Sequence, residues 1–525
     1  RILEKFSKQC SYSQRRIDLL LQQSSAVHTR KPWLMVPQPK GRRWPRFSLE
    51  WLKWLLSLVV GLGLGVVVAG ASTMSTERMV MVVIVMLAPF MLLIAGGIRR
   101  PLLAIAMIET ALDITWYVNF QQPDKGQISG YTVSLTTMAL CGLYALWLAE
   151  LLARRIELPK GILRIALPFI CYVLVSSVTL IWAPSIKFAS FEIYQISHAL
   201  LLFLYLVATV RTREDLFFIL VMLGVGIIIQ SFGQFYVFTT GKNINIGQLT
   251  TGAANTYVKE FQQRHGGFIG SPIDAAGLYE LYVPVLLAFL LVKTNKFYPW
   301  VVFVCLGMGI LGLALAQSRM GWMVIVFSCS IVCFFAWRRG SLPMWIPVVA
   351  VIGFAALFFA FNDVLLGRFT LNDNGSARSR VVMTELGLQV LRDHPIFGIG
   401  INNFAAVVKD YLTPEFGQEW FYAIHDKYLL LWVEVGLPGL LAFVWFLLTT
   451  LYRSWQVWLR RDPQLAMIGL ALGAGILGQM LHMFVDVFHS KPQVQALWIA
   501  CGLIAAIYHN MNKNSSSEDR NLAAL

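Results

Sequence analysis

RDHPIFGIGINNF at residues 392–404 and HDKYLLLWVEVGLPG at 425–439 belong to one segment, 363–439, which leaves an apolar run at Phe361-Asn362 and re-enters another at Tyr428. It is the longest inter-helix segment of the chain and carries Arg378, Arg380, His394 and His425. A long loop with complementary polar groups between two apolar runs is where function sits on a membrane scaffold. Within it, Val382, Leu386 and Val390 line one side of 379–392 while Arg380, Glu385, Gln389 and Arg392 lie elsewhere, which predicts a short interfacial helix. His394-Pro395 should end that helix, and Gly398 and Gly400 then permit a tight turn. A second helical piece is expected over 403–412, before Pro414.

Outward from this segment the chain is apolar. Of its 525 residues 57% are hydrophobic and only 14% charged, too little polar surface to cover a soluble globule of that size. The apolar residues fall in blocks of roughly 18 to 23, the length that crosses a hydrocarbon core as a helix. The expected fold is an all-α, polytopic membrane bundle of about 14 transmembrane helices. The spans read as 51–72, 79–98, 101–120, 131–152, 162–183, 192–210, 215–238, 273–293, 298–317, 321–337, 342–362, 428–452, 464–485 and 492–510. They form one transmembrane domain, 51–510, between a basic cytoplasmic extension, 1–50, and a cytoplasmic tail, 511–525. Nothing in 1–50 resembles a cleaved signal peptide, and a chain that begins with Arg is expected to have its true start upstream.

The formal net charge of +15 argues for membrane topology rather than nucleic acid, because Lys and Arg occur in short clusters between apolar blocks. Threaded from a cytoplasmic start, Arg99-Arg100, Arg154-Arg155, Arg211-Arg213, Lys293-Lys296, Arg338-Arg339, Arg453 with Arg460-Arg461, and the C-terminal tail all fall inside. The loops 239–272 and 363–427 then face outside. Six of the seven cysteines, Cys141, Cys171, Cys305, Cys329, Cys333 and Cys501, lie inside apolar blocks without metal-ligand spacing.

Arg264, Arg319, Arg380 and His425 stand out because this topology puts them all on the external face. Arginine there runs against the positive-inside bias, and an anionic ligand supplies a reason. Guanidinium groups grip phosphate oxygens in bidentate fashion, and a neutral histidine beside them can take a hydroxyl proton. Each residue alone is more often a snorkelling arginine or a surface histidine; the joint pattern carries the argument. A transporter or flippase is the rival reading, resting on Glu109 and Asp113 at i, i+4 in the third expected span. His482, Asp486 and His489, at i, i+4, i+7, suggest hydrogen bonding or substrate contact rather than a metal site. Tyr411, Trp420, Phe421 and Tyr422 are candidates for stacking on sugar faces or for interfacial anchoring.

The run from Arg380 through HPIFGIG and Phe404, then HDKYL and EVGLPG, resembles the signature region of the O-antigen ligase and polymerase superfamily. RHGGFIGSP at 264–272 and SRMG at 318–321 resemble its two upstream arginine motifs, so the likeness covers roughly residues 190–450. It implies a C-class membrane glycosyltransferase of the bacterial inner membrane, active on the periplasmic face, with an undecaprenyl diphosphate-linked glycan as donor. It implies a glycan, lipid A core or other hydroxyl as acceptor, with membrane lipid around the enzyme, chain-length regulators or flippases as partners, and no metal, cofactor or nucleotide sugar. By the same resemblance Arg264 and Arg319 hold the diphosphate, His425 is the general base and Arg380 orients donor or loop; Asp426, Tyr428 and Arg378 are further candidates for substrate contact. The sequence departs from the family pattern at Asp426, where Asn is usual, at Ile273, where Asn is frequent, and at Thr384, where an aromatic is common.

Overall fold

A computed structural model describes residues 97–121, 128–154, 161–246, 249–251, 264–292, 299–342, 376–412 and 423–523. The basic extension, the expected span 51–72, almost all of 79–98 and 342–362, the beginning of the 363–427 loop, and Trp420, Phe421 and Tyr422 lie outside the described residues. Among those described, thirteen α-helices run in order: α1 Arg99–Glu109, α2 Leu135–Leu152, α3 Ile162–Val178, α4 Ile186–Thr209, α5 Arg213–Thr240, α6 Pro272–Leu291, α7 Pro299–Ala316, α8 Arg319–Arg338, α9 Ser376–Asp393, α10 Phe404–Val407, α11 Lys427–Trp458, α12 Pro463–His482 and α13 Lys491–Ala523. Two small antiparallel pairings accompany them, β1 Thr115–Val118 with β2 Tyr131–Ser134, and β3 Asn245–Ile246 with β4 Leu249–Thr250. Nine of the described helices are long and apolar enough to cross a membrane, and Trp300–Ala316 is a shorter apolar helix. The protein is an all-α polytopic membrane protein.

Helix starts are written locally. Ser134 and Thr212 open α2 and α5 with capping boxes, and Ser271, Ser318 and Asp462 cap α6, α8 and α12. Pro272 and Pro463 stand at first helical positions, where the missing amide costs nothing. The centre of the bundle is α12, because glycines along it let neighbours approach to backbone distance: Gly469 meets Val457 of α11, Gly475 meets Leu281 of α6, and Gly478 meets Val324 of α8. In lipid, close backbone approach of this kind replaces the hydrophobic drive that assembles soluble cores.

Cross-helix contacts sort the polar residues into two ends. At one end, Arg99 pairs with Glu150 at 2.5 Å, Arg213 with Asp462, and Arg453 donates to the Ile165 carbonyl at 2.7 Å. Arg339 lies 3.8 Å over the Trp458 ring and donates to the Trp458 and Arg460 carbonyls. Among the described residues, Arg99, Arg213, Arg339 and Arg453, from four of the basic clusters that the sequence assigned to one side, gather at one end. The opposite end collects Arg264, Arg319, Arg380 and His425.

One expected span is corrected. Residues 101–120 are not a continuous helix: α1 stops at Glu109, Asp113 takes φ +45°, and the β-branched and aromatic stretch Thr115–Val118 becomes a strand paired with Tyr131–Ser134. The i, i+4 spacing of Glu109 and Asp113 consequently does not place them on one helical face at mid-membrane. The C-terminal helix also runs on past 510, through Ala523.

Candidate active site

The arginine motifs form one braced turn. A one-turn 3-10 helix, Gly267–Ile269, precedes α6, and it is held by two glutamines one helical turn apart on α5. Gln230 donates to the Gly266 carbonyl at 2.7 Å and accepts from the Phe268 amide at 2.8 Å; Gln234 donates to the His265 carbonyl at 2.7 Å. The turn then docks on the end of α7: the His265 amide donates to the Leu315 carbonyl at 3.2 Å and Arg264 Nε to the Ala316 carbonyl at 3.3 Å. Three residues on, Arg319 begins α8 behind its Ser318 cap, so the two arginine motifs, 55 positions apart, occupy neighbouring turns. Burial holds the His265 imidazole below its ordinary pKa, so it adds no charge beside Arg264.

Gly321, two residues after Arg319, permits α8 to rest against α6; a Cβ there would lie 3.0 Å from Ala276 and 3.1 Å from Glu280. Glu280 is fully buried and faces His482, whose Nδ1 lies 2.8 and 3.0 Å from its two carboxylate oxygens, while Gln479 donates to it at 2.7 Å. The expected common face for His482, Asp486 and His489 is not formed, because α12 ends at His482 and the other two lie in the connection to α13. Asp486 there accepts from Gln493 at 2.7 Å.

The second half of the site is organised by a break in α11. Gly436 has φ +79° and ψ 178°, a conformation open essentially only to glycine, and Pro438 follows it. The interrupted helix exposes carbonyls that the signature loop satisfies: Ile399 and Gly400 amides donate to Val433 and Glu434 at 3.0 and 2.9 Å, and the Leu437 amide donates to Ile396 at 3.0 Å. Trp432 Nε1 closes the clamp on the Pro395 carbonyl at 2.9 Å. Asn402 and Asn403 staple the loop's other side, to Ile128 and Phe188 and to Ser185 respectively. These asparagines were missed in the sequence, although two adjacent amides after a glycine turn are a signal for such stapling.

The expected loop helix is present as α9, ended before His394, and the second piece as α10 followed by a 3-10 turn, Val408–Tyr411. Met383, Leu386 and Val390 of α9 pack with Phe404, Ile424 and Val433 as a small core separate from that of the bundle. Ile424 is gripped by Gly387, and the His425 that follows lies half-buried beneath α9. Its Nδ1 is 3.1 Å from the Ala423 carbonyl. Burial, and next the Arg380 guanidinium, push its pKa down to about 4, against Asp486 and the Ala423 bond. The neighbouring His489 is also pushed down, mainly by burial. Arg380 Nε is buried without a hydrogen-bond partner, a donor available beside the imidazole. Lys427, two residues on, is buried against Glu192 at 3.5 Å, and its amide donates to Met483 at 2.8 Å, tying the His425 strand to the α12–α13 connection.

Not every expected contact faces this site. Asp426 Oδ1 accepts from the Tyr428 and Leu429 amides at 2.9 and 3.0 Å, capping α11, and burial raises its pKa. The Tyr428 hydroxyl donates to Met480 at 2.9 Å while its ring packs on Phe484. Arg378 stands in the first turn of α9, with its side chain outside the described residues. Tyr411 donates to Asp393 at 2.7 Å, and burial, foremost, with that carboxylate raises its pKa to about 12.

Residues 300–444 match the family model described as O-Antigen ligase. None of the curated proteins matches the chain.

Proposed function

We propose that this protein is a membrane glycan ligase or polymerase of the O-antigen ligase and polymerase superfamily, a reading supported by the match of residues 300–444 to the O-Antigen ligase family model; the donor, the site and the roles of its residues follow from that reading. The donor is a glycan carried on undecaprenyl diphosphate, and the acceptor is a hydroxyl on a second glycan or lipid. The reacting end of the bundle is the external face of the inner membrane, with the arginine-rich opposite end in the cytoplasm. The observation that carries this reading is the convergence at one end of a paired-arginine turn and a neutral histidine beside Arg380.

The geometry supports a direct division of labour. The Nδ1 bond to the Ala423 carbonyl fits the tautomer in which Nε2 is the basic nitrogen, the atom that takes the proton of the acceptor hydroxyl. As the acceptor oxygen bonds to the anomeric carbon, the bond from that carbon to the diphosphate oxygen breaks, and the hydroxyl proton passes to Nε2. Negative charge then grows on the leaving diphosphate, where Arg264 and Arg319 stabilise it more than in the ground state. The incoming diphosphate also raises the basicity of His425, offsetting the depression caused by Arg380. Arg380 orients the donor from the α9 side. The rival transport reading loses its mid-membrane acidic pair, since Lys491 engages both Glu109 and Asp113 at the α1 terminus.

The test is transfer by purified protein in nanodiscs from an undecaprenyl diphosphate-linked oligosaccharide. His425→Ala and Arg319→Ala are each expected to lower turnover by at least about 100-fold while remaining folded. Wild-type turnover in either variant would remove that residue from the mechanism. Movement of the intact donor across a vesicle membrane with no new linkage, abolished in Glu109→Gln, would establish transport instead.

A further inference from the structure

The β1–β2 hairpin was not foreseen in the sequence, and nothing in the mechanism above uses it. It projects beyond the ends of α1 and α2 at the same end of the bundle as His425. Its ladder continues past the strands, with the Gln121 amide donating to Ser129 at 2.8 Å. One side is bolted to α4: Tyr131 bonds Ser190 at 2.9 Å, Tyr194 donates to the Thr132 carbonyl at 3.1 Å, and the Tyr131 ring meets Phe191 and Tyr194 edge-on. On the other face Tyr117 is 51% exposed, and past the strand Phe120 is 59% exposed, the two rings in an edge contact at 5.9 Å.

Two further attachments fix this ribbon to the active-site architecture. Ile128 and Asn402 exchange hydrogen bonds at 3.0 and 3.2 Å, joining the hairpin to the signature loop. Lys491, two residues after His489, reaches Glu109, Asp113 and, at 3.1 Å, Thr115 at the start of β1. Burying a lysine among carboxylates is a costly way to hold a loop that only has to rest on lipid headgroups. It suits a surface whose position relative to His425 matters. Both of these attachments, through Asn402 and Lys491, lie on the histidine side.

We propose that the exposed face of this hairpin is a saccharide-binding platform for the acceptor glycan, with Tyr117 and Phe120 stacking on sugar faces and Asn119 and Gln121 hydrogen-bonding hydroxyls. The proposal rests on the glycan-transfer reading and names the part of the substrate that reading leaves unplaced. An aromatic ring offers the C–H faces of a pyranose a flat apolar contact, and side-chain amides match its paired hydroxyls. The platform acts on sugars remote from the reacting hydroxyl, so it governs acceptor affinity and not the chemical step.

Full-length protein in nanodiscs would be assayed with a fixed lipid-linked donor and with acceptors of graded length, disaccharide to hexasaccharide, released from the host's surface polysaccharide. Tyr117→Ala/Phe120→Ala is expected to raise KM for the hexasaccharide about tenfold, with kcat, donor KM and disaccharide KM unchanged. Tyr117→Phe should restore most of the loss, because the ring is kept. Direct binding of the hexasaccharide, followed by tryptophan fluorescence, should weaken in parallel. Unchanged hexasaccharide KM and binding would overturn the platform, as would a loss that follows bilayer composition and not acceptor length, which marks a headgroup anchor. A wild type that binds hexasaccharide through the hairpin yet never transfers glycan would sink the transfer reading and leave the platform standing.

Discussion

The two halves of the site are held by different means. The Arg264 turn is braced by side chains, chiefly Gln230 and Gln234 reaching from α5 to backbone groups of the turn. The loop that frames His425 is braced by backbone: its Ile399 and Gly400 amides donate to carbonyls at the glycine break in α11, and the Leu437 amide of α11 donates back to the Ile396 carbonyl. Side-chain braces can be removed one at a time, each leaving a local defect. A backbone brace depends on a few residues having no Cβ, so a small substitution there displaces the whole loop.

The largest effect should therefore come from Gly436→Ala. A Cβ at that position would meet the Ile396 carbonyl oxygen at 2.1 Å, and φ +79° is itself strained for alanine. Destabilisation of the loop by about 3 kcal/mol or more is expected, with activity lost and α9 released to rapid hydrogen exchange. Normal exchange protection in α9 together with normal turnover would show that the loop does not depend on the break.

Gln230→Ala probes the other half and should do less. Removing the amide leaves the Gly266 carbonyl and the Phe268 amide unpaired in a buried place, a cost of roughly 1–3 kcal/mol that is spent locally. The turn carrying Arg264 loosens, so donor KM should rise well before turnover falls, while acceptor KM stays put. If Gln230→Ala and Gly436→Ala proved equally damaging to α9 protection, the contrast between the two halves would not hold.

Much of this was legible in the sequence. The apolar blocks, the clustering of arginines and the 264, 318, 394 and 425 motifs located the bundle and the segments that the fold gathers at one end of it, because span length and charge asymmetry are local properties. The failures share a cause. Residues 101–120 are largely apolar, and hydropathy alone cannot separate a helix from a helix followed by an aromatic strand; the β-branched and aromatic run at Thr115–Val118 was the cue. The spacing of His482, Asp486 and His489 misled because a helical period was assumed beyond the last helical residue. Gln230 and Gln234, at i, i+4 inside an apolar run, were a readable sign of intramembrane polar bracing that the charged residues overshadowed.

The smallest effect concerns protons on the histidine half. His425 is held neutral, with its pKa down at about 4, so in the free enzyme the acid limb of kcat/KM should lie near that value and not near 6.5. The sign for stability follows: a folded pKa below the unfolded one means the contribution is complete above about 6.5 and is lost as pH falls from there toward 4. Arg380→Gln removes the second cause of the depression and leaves the first, burial, in place. The limb should then move upward only part of the way, toward less acidic pH, and the acid loss of stability should shrink with it. The arginines of the Arg264 half keep their charge throughout this range. Gln230→Ala should consequently leave the limb where it is. A limb that stays put in Arg380→Gln, or moves to lower pH, would separate Arg380 from His425 and confine it to the donor.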